Sequence, residues 1–390
     1  MILVESIKML ELSPTQFLRV QSSYNALANE LQKSNASVIV YPQGSIRLGT
    51  TIRPFKENKD AEFDVDLVAL YPVAKYSVLP QEIRDYVGDV LKNNGTYSSK
   101  LSEKKRCWRI DYSQQDDIGF HADIVPAIPE DYATVYKILP KDGLQEFVDS
   151  AIAITEKENS DSRAIWCSSN PKGYADWFDM INRKNYSELL EQKRHNIYKD
   201  NVDLFSSVEE VPLPLVKSPM QRIIQLLKRH RDVCFSKSPS EKDKPISIII
   251  TTLVAETVDK LALNSLNLVE LLIETTNALI EAGSLIDDQN YSSYRVRDLL
   301  YRKDGEWIIP NPVNTKENFA DKWNSNPAKA RAFFNWLKAI ENDIILNSND
   351  EDFDRILCEK LAITYPDPLQ KKEKIITVNK ASSSKPWRNQ

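Results

Sequence analysis

Cysteine and histidine are scarce in this chain, four and three among 390 residues. Cys107, Cys167, Cys234 and Cys358 include no CxxC pair, which excludes a disulfide framework and a cysteine-based zinc site and points to a reducing compartment. His121, His195 and His230 are dispersed along the chain and read as satisfied core or surface residues rather than metal ligands. Long apolar runs are missing too. The longest, PISIIITTLVA from Pro245, falls well short of the roughly 18 to 20 residues a membrane helix needs, and no signal-peptide pattern opens the chain. A cytoplasmic protein without a membrane partner is therefore expected. A surplus of positive charge is likewise absent. The net charge of −5 excludes a general attraction to phosphate polymers, although LVKSPMQRIIQLLKRHR gathers Lys217, Arg222, Lys228, Arg229 and Arg231. That cluster suits a local phosphate contact better than a duplex-binding face.

What is present is enough for a real core: 42 % hydrophobic residues in a chain long enough for two domains. Ser13-Pro14-Thr15-Gln16 combines an N-cap, a proline at the first helical position and a capping-box glutamine. Phe17, Val20, Tyr24, Leu27, Ala28 and Leu31 follow at helical spacing, so residues 13–33 are predicted as a long packed helix. The run Ser37 to Tyr41 is a predicted strand ending at Gly44, and a loop carries Arg47 and Arg53. Phe63 to Tyr71 is a second strand. CWRIDY from Cys107 and FHADIVPAI from Phe120 read as hairpin arms about the turn SQQDDIG. Beyond about residue 130 the strand signal fades into helical periodicity with polar connectors, notably Thr155 to Gly173 and Asn201 to Ser218. Ser218-Pro219-Met220-Gln221 repeats the capping pattern at the start of the basic helix, whereas Ile246 to Val258 reads equally as buried helix or strand.

The chemistry-bearing stretches are YPQGSIRLGTTIRP, residues 41–54, and EFDVDLVALY, residues 62–71. Side chains alternate along a strand, so Asp64 and Asp66 face the same way, roughly 7 Å apart, with Val65 turned to the core. Like charges so placed raise each other's pKa, and a hard divalent cation relieves the repulsion. Asp123, an acid in an apolar strand, can complete a cluster that holds two magnesium ions for in-line displacement at phosphorus. Gly44 then admits close backbone approach, Ser45 offers an amide and a hydroxyl to nucleotide phosphates, and Lys228 or Arg229 can reach the same phosphates.

Taken in order, QGSIRLGT, DVD and HADIVPAIP resemble the bacterial cyclic-oligonucleotide synthases called CD-NTases, relatives of animal cyclic GMP-AMP synthase and oligoadenylate synthetase. SSNPKGYADWF, QRIIQLLKRHRD, the PIS segment at Pro245 and NPVNTKENFADKW extend the resemblance over nearly the whole chain. It implies an α+β fold, with a polymerase-β-like nucleotidyltransferase core around a mixed β-sheet and a mainly helical C-terminal domain. The expected division is a core with its long N-terminal helix over 1–200, a helical domain closing the cleft over 201–365, and a mobile basic tail over 366–390. Carried over by position, the resemblance makes Asp64, Asp66 and Asp123 the catalytic metal ligands for magnesium or manganese. It makes Gln43, Gly44 and Ser45 the donor phosphate loop, and Lys228 and Ser247 further triphosphate contacts.

The implied activity joins NTPs, ATP or GTP among them, into a cyclic di- or trinucleotide. The product would serve CBASS antiphage defence in bacteria through a separate effector, with accessory proteins as further partners. Direct activation by DNA is not expected, since nothing here matches the zinc module of the animal relative. Two other readings stay open: a nucleotidyltransferase acting on an RNA, protein or small-molecule acceptor, and a nucleotide-binding regulator without turnover. Base choice, ring size and linkage are not encoded in any of these motifs.

Overall fold

The computed structural model describes residues 2–115, 118–157, 163–236, 238–263, 266–283 and 298–364. The basic tail and the centre of the SQQDDIG turn, Asp116 and Asp117, lie outside these residues. Helix α1 (Ile2–Lys8) precedes α2 (Pro14–Ser34), which starts where the sequence places it. The Gln16 N–H donates to Ser13 Oγ (3.2 Å) while the Gln16 side chain accepts from the Ser13 N–H (3.0 Å), closing the capping box.

Strand β1 (Ile39–Gln43) runs into the one-turn helix α3 (Gly44–Arg47), and the short ribbon β2 (Phe55–Lys56) and β3 (Lys59–Asp60) leads to β4 (Phe63–Leu70). Helix α4 (Pro80–Lys92) is followed by β5 (Leu101–Glu103), β6 (Trp108–Gln115) and β7 (Ile118–Pro129). One turn, α5 (Tyr132–Val135), separates these from β8 (Ile152–Lys157) and β9 (Ala164–Ser169). The last two strands correct the sequence reading, which took Thr155 to Gly173 for helix and polar connector. Thr155 is fully buried and Ile154 nearly so, and β8 closes its ladder on both neighbours, so tertiary pairing overrides a polar local composition.

The sheet has the order β1-β4-β7-β6-β5. Its central pair β4 and β7 is parallel, and β1 and β6 flank that pair antiparallel. The long β7 pairs with β6 near its start and with β8 near its end, so both occupy the edge opposite β4. Helices α2 and α4 cover one face, where Leu27, Leu31, Val87 and Leu91 meet Val65, Leu67, Ile110 and Ala122. With that face apolar, the alternation of β4 turns Glu62, Asp64 and Asp66 to the other.

Helix α6 (Pro171–Asp200) opens the helical part, which continues through α7 (Pro219–Ser236) and α8 (Ser247–Lys260). The ambiguous stretch from Ile246 is thus helical, with Ile249, Ile250, Leu253 and Val254 buried in the larger core. Helix α1 joins that same core through Ile7 and Leu10. Among the described residues, no helix is long and apolar enough to cross a membrane.

One contact fixes how α4 sits on the sheet. A Cβ on Gly88 would stand 2.2 Å from the Trp108 ring, whose Nε1 donates to Arg84 O at 3.0 Å. Gly88→Ala is expected to lower stability by about 1–3 kcal/mol, since overpacking outweighs the better helix propensity of alanine. Urea denaturation checks this, and an unchanged midpoint would mean the indole moves aside freely.

Candidate active site

Register, more than spacing along one strand, assembles the polar face. Gln43 of β1 stands opposite Asp66 of β4, Asp66 opposite Asp123 of β7, and Asp123 opposite Arg109 of β6, a single rung across four strands. The neighbouring rung on this face carries Asp64, His121 and Asp111. Adjacent strands lie roughly 4.8 Å apart, so carboxylates on these rungs feel one another strongly.

The electrostatic consequences follow from burial. Asp66 is pushed up to about 7, first by burial and then by the charges of Asp123 and Asp64. Asp64, half exposed at the cleft wall, is raised by partial burial against the pull of Arg109. Arg109 supplies the opposing charge: its Nε and Nη2 each donate to Asp123 at 2.7 Å, and Nη2 reaches Asp64 Oδ1 at 3.4 Å. His121 is held between Asp111 (2.8 Å) and Glu62 (3.3 Å). Three carboxylates on neighbouring rungs, with a guanidinium already drawn among them, form an all-oxygen donor set that fits a hard divalent cation.

The Gly-Ser corner meets these acids directly. Gly44 has φ +60°, and a Cβ there would lie 2.6 Å from Asp66 Oδ2, so a glycine is required twice over. The expected loop after β1 is instead the helical turn α3, in which Ser45 Oγ accepts a hydrogen bond from Thr51 Oγ1 at 3.2 Å. A cavity of about 500 Å3 brings together Gly44, Ser45, Asp64, Asp66, Lys228 and Ser247. Gln43, Gly44 and Asp66 also border a second cavity, of about 880 Å3, reaching Tyr174 and Phe319.

Lys228 differs from the sequence reading in one respect. The phosphate contact expected of Lys228 suggests an exposed cation, but at 5 % exposed it is buried while still bordering the smaller cavity. Its Nζ donates to Thr50 O (3.2 Å) and Thr50 Oγ1 (3.1 Å), and burial, aided by Arg231, pulls its pKa down to about 7. The other cations of α7 have protein partners. Arg222 pairs with Glu11, Arg229 donates to Leu361 O and Ala362 O, and Arg231 donates to Pro245 O and Ser247 Oγ. Sequence reasoning missed Arg109, although in CWRIDY it shares the parity of Asp111; only the hairpin register sets it against Asp123.

Elsewhere, among the described residues, one group of His, Cys and Asp side chains has ligand atoms within 4.8 Å of one another: His230, Cys234 and Asp343. The histidine and cysteine are four apart on α7, a spacing the sequence reading passed over. Here Trp336 Nε1 donates to His230 Nδ1 (3.1 Å), His230 Nε2 meets Asp343 (3.2 Å), and Lys360 pairs with Asp343 (2.8 Å). Protein partners satisfy the cluster, in line with a core histidine.

Residues 39–126, which hold the whole of this polar face, match the family described as the cyclic GMP-AMP synthase DncV-like nucleotidyltransferase domain. A c-di-GMP synthase of Roseivirga ehrenbergii is 29 % identical over 341 residues, covering 85 % of this chain and 75 % of that protein. These two matches support a bacterial CD-NTase. The cyclic dinucleotide synthase CdnG of Bradyrhizobium diazoefficiens is 22 % identical over 345 residues, 86 % of this chain and 72 % of that relative. Its structure in complex with GTP superposes with TM-score 0.63 at 20 % identity, covering 93 % of this chain and 97 % of that one. CdnC of E. coli MS115-1, in its complex with HORMA-deltaN, gives TM-score 0.56 at 13 % identity over 92 % and 94 % of the two chains. These last two likenesses support the fold: a mixed-sheet nucleotidyltransferase core with a helical C-terminal region. The CD-NTase is thus a nucleotidyltransferase of the cyclic dinucleotide synthase family.

The buried acid of this enzyme makes a pH-dependent signature. Asp66, raised from 3.8 to about 7, binds its proton more tightly folded than unfolded, so stability falls as pH rises across that interval and levels off above it. Asp66→Asn removes this loss. In EDTA, its melting temperature is expected to match the wild type near pH 4 and to exceed it by a margin that grows up to about pH 7. Parallel melting curves across that range would show that Asp66 does not titrate there.

Proposed function

We propose that this CD-NTase joins nucleoside triphosphates into a cyclic di- or trinucleotide by two-metal phosphoryl transfer, releasing pyrophosphate. The observation that carries the reading is the single rung of Gln43, Asp66 and Asp123, whose Asp66 lines a cavity together with Asp64, Gly44, Ser45, Lys228 and Ser247. Asp64, Asp66 and Asp123 are the assigned ligands of two magnesium ions, or of manganese, which would lower the pKa of the attacking hydroxyl and offset charge on the phosphates and leaving group.

The chain's own residues then do the positioning. Gly44, lacking a side chain, lets phosphate oxygens come close to the backbone, and the Ser45 hydroxyl offers them a hydrogen bond. Burial lowers the Lys228 pKa to about 7, and a triphosphate beside it would favour its charged form. Ser247, its Oγ already accepting from Arg231, has its own hydroxyl proton free to donate to a phosphate. Gln43 closes the rung at the mouth of the larger cavity, which has room for a nucleoside. The relative named as a c-di-GMP synthase and the relative solved with GTP favour a guanine nucleotide among the substrates, and CdnC solved with ATP keeps ATP as a candidate beside it. A role in antiphage defence, with a product-activated effector and HORMA-type accessory partners, rests on the family and on the CdnC complex.

The test is incubation of the purified protein with all four radiolabelled NTPs and magnesium, followed by phosphatase. A phosphatase-resistant cyclic product is expected. Label on an RNA, protein or small acceptor would favour the acceptor reading, and no incorporation would favour a regulator. Asp64→Asn and Asp66→Asn are each expected to cut product by at least about a hundredfold, because they remove metal-binding charge but keep shape. Near-normal magnesium-dependent synthesis by either variant contradicts the assignment. Lys228→Ala is expected to raise the KM for NTP about tenfold or more, the loss of one charge-assisted phosphate contact. Steady-state kinetics reads this directly.

A further inference from the structure

Resting on the carboxylate assignment above, we infer that Arg109 is a displaceable counter-ion built into the site, which holds Asp123 away from a metal until a cation takes its place. Both oxygens of Asp123 are engaged: Oδ1 accepts from Nε and Oδ2 from Nη2, each at 2.7 Å, a fork-to-fork pair. Nη2 is shared with Asp64 Oδ1 at 3.4 Å, so the guanidinium lies between two of the three carboxylates. Arg109 sits directly opposite Asp123 in the β6–β7 ladder, so the backbone presents this pair.

A divalent cation ligated by Asp123 has to take over at least one oxygen that Arg109 now holds. The exchange has room to occur. Arg109 borders a cavity of about 850 Å3 on the Asp64 side of the site, together with Arg53, Phe55, Lys244 and His121, and its side chain is about a quarter exposed. Arg109 is therefore a positioning residue that acts through Asp123. Without a metal it offsets the repulsion among the acids, and it weakens cation binding by the strength of the bonds that must be broken.

The measurement is Mn2+ affinity of the full chain without nucleotide, from the loss of the free-ion EPR signal on titration. Arg109→Gln is expected to bind Mn2+ about tenfold more tightly than wild type at the Asp123-dependent site, the worth of a charge-assisted bidentate pair. Arg109→Lys, which keeps the charge but loses the fork, is expected to stay within about threefold of wild type. In an Asp123→Asn background the gain from Arg109→Gln is expected to vanish. Equal or weaker Mn2+ binding by Arg109→Gln overturns the inference, as does a gain that persists without the Asp123 carboxylate. If Arg109→Gln melts far below wild type, Arg109→Met, which removes the charge but keeps the aliphatic stem, decides in its place: tighter Mn2+ binding than wild type supports the inference, and equal or weaker binding overturns it. Absence of Mn2+ binding by the wild type and every variant instead sinks the carboxylate assignment itself.

Discussion

Like charges forced onto adjacent rungs of one sheet are the constraint from which the rest of this structure follows. The apolar faces of α2 and α4 require Val65, Leu67, Ile110 and Ala122 to point one way, so the alternation along β4 and β7 sends Asp64, Asp66 and Asp123 the other way. Once there they cannot all remain charged in a partly buried cleft without positive charge nearby. The fold meets that demand with Arg109 on the adjoining strand and Lys228 from the helical part. A substrate that arrives with divalent cations meets the same demand from outside.

The glycine at position 44 belongs to the same constraint. Asp66 lies against its α-carbon, so the turn between sheet and cleft and the buried acid are one packing unit. The short helix that follows replaces the loop expected from the sequence, because Gly44 in the left-handed region redirects the chain within one residue.

Much of this was legible beforehand, and the limits are physical. The capping boxes at Ser13 and Ser218 fixed two helix starts, since each is a local exchange of two hydrogen bonds visible in four letters. The parity of Asp64 and Asp66 and the hairpin around Asp123 placed three acids on one face. What could not be read was long-range pairing. The strands at Ile152–Lys157 and Ala164–Ser169 exist because β7 offers them an edge, and Arg109 became visible only through its cross-strand register. Lys228 was legible as a candidate phosphate contact but its burial was not: every residue of its helix from Met220 to Asp232 is buried, and a run of cations in the composition conceals an interior position.

Three residues of that helix, Gln221, Gln225 and Lys228, fall on one stripe and donate in turn to Leu48 O, Thr51 O and Thr50 O. Each bond is buried, and each ends on the backbone just beyond the Gly-Ser turn. Mechanically, this is a seam that resists shear: the helix and the loop cannot slide past one another without stranding three donors away from water. The backbone beside the Gly-Ser turn is thus pinned to the helix at three points within four residues, Leu48 to Thr51.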